Sequence, residues 1–108
     1  MSRVVKCGLI QTSLAAGTAE PIQTIRSAQV QRAIPFIDQA GSEGVQILCL
    51  QEIFNGPYFC AEPKDLRWYG FAEAVPGPTT ALMATYAKKY GMVMVVPLYE
   101  REMGGRLL

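Results

Sequence analysis

The side chain with the clearest chemical potential is Glu52. It follows the apolar run Val45 to Leu50 (VQILCL) and Gln51, and it precedes Ile53-Phe54 and the chain-breaking Asn55-Gly56-Pro57. In open α/β sheets ligands bind beyond the carboxyl ends of the strands, and this pattern places Glu52 there. A carboxylate held among apolar neighbours is costly to keep charged, which suits a general acid or base working near neutral pH. The same position also suits a surface carboxylate where a strand meets solvent. Cys60 lies eight positions further on, with Lys64 just beyond it. A nucleophilic thiolate needs a nearby cation or a helix N-terminus. Lys64 could supply the charge, but no helix start follows Cys60, and a packing or loop cysteine is the plainer reading. Tyr58, Phe59, Trp68, Tyr69 and Phe71 form an aromatic-rich stretch that either lines a pocket or packs against the sheet end.

What is absent narrows the chemistry further. The 108 residues contain no histidine, so Ser-His-Asp and Cys-His catalysis and His-ligated zinc are excluded within the chain. Ten Lys+Arg against nine Asp+Glu give a net charge of +1 and no basic stripe for nucleic acid. There is no GxGxxG or GxxxxGK[ST] phosphate loop. Cys7, Cys49 and Cys60 make an odd set without CxxC spacing, which points to free thiols and a cytoplasmic setting rather than a disulfide scaffold. Cys7 and Cys49 lie inside apolar runs and are expected to be buried core fillers. The N-terminus lacks a signal-peptide pattern, and no apolar stretch approaches the ~18 residues of a membrane span.

The elements that must position these residues follow from the apolar patterning. Val4 to Gln11, Val45 to Leu50 and Met92 to Tyr99 read as short buried strands. Ile22 to about Ala40 carries apolar residues near helical spacing, with Pro35 expected to break it. A second helix starts after Val75-Pro76-Gly77-Pro78, with Thr79 or Thr80 as the cap, and ends at Gly91. Lys88 and Lys89 near its end suit the helix dipole and a solvated face. The order is β-α-β-α-β, an α/β class. Strands apolar on both faces call for a partly parallel sheet covered on both sides, yet two helices hardly provide that cover. Charged residues are only 18% of the chain, in keeping with surface meant to be covered.

The residues Ile47-Leu48-Cys49-Leu50-Gln51-Glu52 followed by Asn55-Gly56-Pro57-Tyr58-Phe59-Cys60 resemble the first catalytic block of the nitrilase superfamily, the carbon–nitrogen hydrolases. Phe71-Ala72-Glu73 leading to Pro76-Gly77-Pro78-Thr79-Thr80, then Tyr86-Ala87-Lys88-Lys89-Tyr90-Gly91, and Met92 to Val96 with Tyr99-Glu100-Arg101, extend the likeness from Val4 to about Glu102. Within the superfamily it is most similar to N-carbamoyl amine and amino-acid amidohydrolases. The resemblance implies a four-layer α-β-β-α sandwich and a Glu-Lys-Cys triad, without metal or organic cofactor. Glu52 matches the general base. Asn55, Tyr58 and Phe59 are implied as neighbours of the substrate. A small amide or N-carbamoyl substrate and a homo-oligomer are the implied partners, with neither nucleic acid nor membrane among them.

Lys64, Lys88 and Lys89 do not match the family's lysine, and Cys60 matches a loop residue, not the nucleophile. Residues 1–108 are therefore expected to be the N-terminal part of a carbon–nitrogen hydrolase domain, inactive alone. The rival expectation is a non-catalytic α/β module for interaction or oligomerisation.

Overall fold

The computed structural model describes residues 3–61 and 65–102. Its elements are β1 (Cys7–Ile10), α1 (Ile22–Ser42), β2 (Ile47–Leu50), α2 (Pro78–Tyr90) and β3 (Val93–Val95), with short 3₁₀ turns at Phe59–Ala61 and Leu66–Phe71. The strands form one parallel sheet in the order β1-β2-β3. In register, Cys7 lies beside Ile47 and Ile47 beside Val93; two residues on, Leu9, Cys49 and Val95 align. The β-α-β-α-β order expected from the patterning is the order found, with strands shorter than their apolar runs.

Both connecting helices pack on one face of the sheet, as two successive crossovers in the same direction require when both take the general right-handed sense. That face carries Ile10, Leu48, Leu50 and Met94, which pack with Val30, Ala33, Ile37 and Ala40 of α1 and Met83 of α2 in the main core. Side chains alternate across a strand, so the opposite face is Cys7, Leu9, Ile47, Cys49, Val93 and Val95. Leu9 is 85% exposed and Val93 61%. The expected shortage of cover is thus confined to one whole face. It also corrects the reading of the cysteines as core fillers: Cys7 is exposed and Cys49 only half-buried, because both sit on the face without helices.

Pro35 does not break α1, which runs unbroken from Ile22 to Ser42. Proline removes the hydrogen bond to the carbonyl four residues earlier. Here both Pro35 and Gln31 are exposed, so water can take the released carbonyl. The helix's apolar stripe of Ile25, Val30, Ala33, Ile37 and Ala40 supplies the tertiary packing that offsets the loss. At its end, Gly91 closes α2 in the left-handed conformation (φ +60°), with the Met92 N–H donating to the Ala87 carbonyl.

The two helices meet where α1 is thinnest. A Cβ on Gly41 would lie 2.2 Å from the Tyr90 ring, so only glycine admits that ring. The Tyr90 hydroxyl donates to Asp38 Oδ1 at 2.5 Å, and Lys89 Nζ stands 3.8 Å from the same oxygen. The hydrogen bond to Asp38 raises the Tyr90 phenol above its ordinary value near 10, and the hydrogen bond to Tyr90 with the Tyr90 and Asp38 charges does the same for Lys89. Both groups therefore hold their protons more tightly folded than unfolded. Their contribution is complete below about pH 10 and is lost as pH rises through the folded values. Urea midpoints at about pH 8 and about pH 11 should show the parent losing more stability than Tyr90→Phe over that interval; equal losses would exclude the Asp38 contact as the cause.

Candidate active site

Glu52 stands immediately past the carboxyl end of β2, in the tight turn of residues 52–56. Its side chain is exposed, which matches the plainer of the two sequence readings and not a carboxylate held among apolar neighbours. It lines a cleft of about 320 Å³ together with Gln11, Thr12, Gln51 and Tyr58. A second cleft of about 410 Å³ lies alongside, lined by Leu14, Thr18, Pro57, Tyr58, Phe59, Asp65 and Trp68. Tyr58 borders both.

The turn is fixed from both sides. On its N-terminal side, the Gln51 amide behaves like one more rung of the sheet. Its Nε2 donates to the Thr12 carbonyl at 3.0 Å, and its Oε1 accepts from the Thr12 N–H and hydroxyl. Thr12 is in turn held by buried Gln29, which donates to the Thr12 hydroxyl and accepts from the Ala15 N–H. Arg32 donates to the Ser13 and Leu14 carbonyls of the same loop. On its C-terminal side, Phe54 is buried and its N–H donates to the Pro97 carbonyl. Ile53 between them has φ +50°, a conformation a β-branched residue adopts only where its surroundings impose it.

Asn55 is 2% exposed and turned inward. Its Nδ2 donates to Glu73 Oε2 and to Thr79 Oγ1, each at 3.4 Å. Glu73 also accepts from the Thr79 N–H (3.1 Å) and the Thr79 hydroxyl (2.9 Å). The first free amide of α2 is thus taken by Glu73 rather than by a threonine. Thr80 acts one step earlier, accepting from the Gly77 N–H at 2.7 Å. Arg26 of α1 completes the cluster: its Nε lies 3.8 Å from Glu73 Oε2, and its Nη2 donates to the Phe71 carbonyl at 2.7 Å.

Of the residues singled out from the sequence, Glu52 and Tyr58 share a cleft, Phe59 lines only the second one, and Asn55 belongs to the buried cluster. Cys60 is exposed, and Lys64 lies outside the described residues. The aromatic stretch divides. Trp68 and Phe71 pack around Ile25, while Tyr58 and Tyr69 stay exposed. Phe59 packs on Tyr99 with ring centroids 5.3 Å apart, and burial pushes the Tyr99 phenol upward. Sequence reasoning missed Gln29, Arg26 and Glu73 as site-building residues. The one available signal was Glu73 itself, a carboxylate directly after the apolar pair Phe71-Ala72. Among the described residues no three His, Cys, Asp or Glu side chains come together to hold a metal ion, and no helix is long and apolar enough to cross a membrane.

The Carbon-nitrogen hydrolase family profile matches residues 13–108. A beta-ureidopropionase from Arabidopsis thaliana is 45% identical over 101 residues, covering 93% of this chain and 24% of the relative. The omega-amidase NIT2 of Homo sapiens is 31% identical over 86 residues (80% and 29%), and the N-carbamoylputrescine amidase of Solanum lycopersicum 35% over 75 residues (68% and 25%). The chain spans about a quarter of the length of these curated relatives.

Gly56, which ends the turn, packs so tightly on buried Phe71 that an added Cβ would lie 2.9 Å from the ring. Gly56→Ala should cost about 1–3 kcal/mol by overpacking, partly offset by the less flexible unfolded chain. Urea denaturation should also show Phe71→Leu recovering part of that loss in the double variant. An alanine variant as stable as the parent would mean the ring can yield.

Proposed function

The chain belongs to the carbon–nitrogen hydrolase family, and from that premise we propose that it supplies the general-base glutamate of an enzyme hydrolysing non-peptide C–N bonds in small N-carbamoyl or amide compounds. The observation that carries this is the placement of Glu52: a carboxylate at the carboxyl end of the central strand, open to a cleft, on a turn held rigidly from both sides. The names of the relatives, a ureidopropionase and an N-carbamoylputrescine amidase, support the substrate class.

In this reading the nucleophilic cysteine and the oxyanion-stabilising lysine come from sequence outside this chain. Glu52 takes the thiol proton as the sulfur bonds to the carbonyl carbon. The lysine stabilises the oxyanion, and the C–N bond then breaks as Glu52 returns the proton to the departing nitrogen. Water hydrolyses the resulting thioester. The bare face of Cys7, Leu9, Ile47, Cys49, Val93 and Val95 is where the second sheet of a four-layer sandwich would pack. That same face supports the second reading, a non-catalytic module that assembles through it. Size-exclusion chromatography and melting discriminate: a cooperative melt in a defined oligomer favours the module, and aggregation favours an incomplete enzyme.

The 108-residue chain alone should not turn over N-carbamoyl-β-alanine; turnover that Glu52→Gln abolishes would overturn the requirement for outside groups. In a full-length hydrolase carrying this segment, Glu52→Gln should lower kcat by about 10²–10⁴-fold. Retained activity there would show that Glu52 is not the base.

A further inference from the structure

We propose that Glu73 is a positioning residue for Glu52: its buried carboxylate latches the 52–56 turn to the N-terminus of α2 and so sets where the base stands. The inference rests on the reading of Glu52 as the base. Glu73 itself is 6% exposed and remote from solvent. A buried carboxylate is costly unless its oxygens are met by donors. Here three donors meet it, the Thr79 N–H, the Thr79 hydroxyl and Asn55 Nδ2. Capping a helix does not require such burial, since an exposed serine or aspartate caps as well. The donor that capping leaves unexplained is Asn55, three residues after Glu52.

The carboxylate can act as a fixed post because its own backbone is pinned on both sides. The Glu73 N–H donates to the Tyr99 carbonyl at 3.0 Å, and its carbonyl accepts from the Arg101 N–H at 2.8 Å. The turn it holds needs holding. Ile53 at φ +50° sits in a conformation that persists only while its neighbours over-determine it. Buried Phe54 is one such neighbour and latched Asn55 the other. With Asn55 released, the turn can relax, and exposed Glu52 moves with its backbone.

The test uses a full-length hydrolase carrying this segment, with N-carbamoyl-β-alanine as substrate. Glutamine at position 73 keeps one acceptor oxygen and turns an amide donor toward Thr79 or Asn55. Glu73→Gln should therefore lower kcat about 10–100-fold with KM held within about threefold. Asn55→Asp added to Glu73→Gln exchanges donor and acceptor, and should recover about tenfold of that loss. Amide exchange should quicken across residues 51–58 in Glu73→Gln and stay unchanged across 7–10. A folded Glu73→Gln enzyme with kcat within about twofold of the parent, a rise in KM alone, or no recovery in the exchanged pair overturns the proposal. If Glu73→Gln does not fold, Asn55→Ala leaves the bonds to α2 in place and is read by the same kcat-against-KM split. Glu52→Gln, run in parallel, separates the two claims. Full activity there removes the base assignment, and the amide exchange of 51–58 then judges the latch by itself.

Discussion

The structure around the site depends on one buried carboxylate, the donors it gathers and the guanidinium paired with it. Glu73 meets α2 through Thr79, the Glu52 turn through Asn55, α1 through Arg26, and the segment after β3 through its own backbone. No two of these elements are neighbours in sequence. Burying a charge is unfavourable, and the burial persists only if the donors stay in register. A departure of any one of them strands the others. The cluster therefore behaves as a single joint, and the turn that presents Glu52 inherits its rigidity.

A second joint mirrors it across the turn. Gln51 carries the β1-β2 pairing one residue past the last backbone rung by bonding to the N–H, the hydroxyl and the carbonyl of Thr12, and Gln29 secures the Thr12 hydroxyl. Glu52 is thus exposed yet not loose: its flanks are polar anchors, half-buried Gln51 on one side and buried Asn55 on the other, and the freedom left to it is that of its own side chain. That division suits the role proposed for Glu52, in which the reach of the side chain depends on where its backbone is held.

The sheet explains why so much apolar surface remains. Both crossovers run the same way, so both helices cover the Ile10, Leu48, Leu50 and Met94 face. The other face is apolar too, but among the described residues no helix packs against it, and Leu9 and Val93 stay exposed. Family membership and the quarter-length match to relatives give that face a physical sense, since a sheet layer in a sandwich is apolar on both sides.

By itself the sequence determined the order of strands and helices, the position of Glu52 at a strand's carboxyl end, and the family to which its motifs belong. Those follow from local patterning: apolar runs, Pro-Gly breaks and a carboxylate at a boundary. Only the tertiary structure decided which sheet face is bare, that Cys7 is exposed, that α1 passes through Pro35, and that Asn55 turns inward to Glu73. The physical reason is common to all four. Each depends on what lies across space, on crossover handedness, on solvent beside Gln31, or on a carboxylate eighteen residues away, and periodicity along a chain encodes none of these distances.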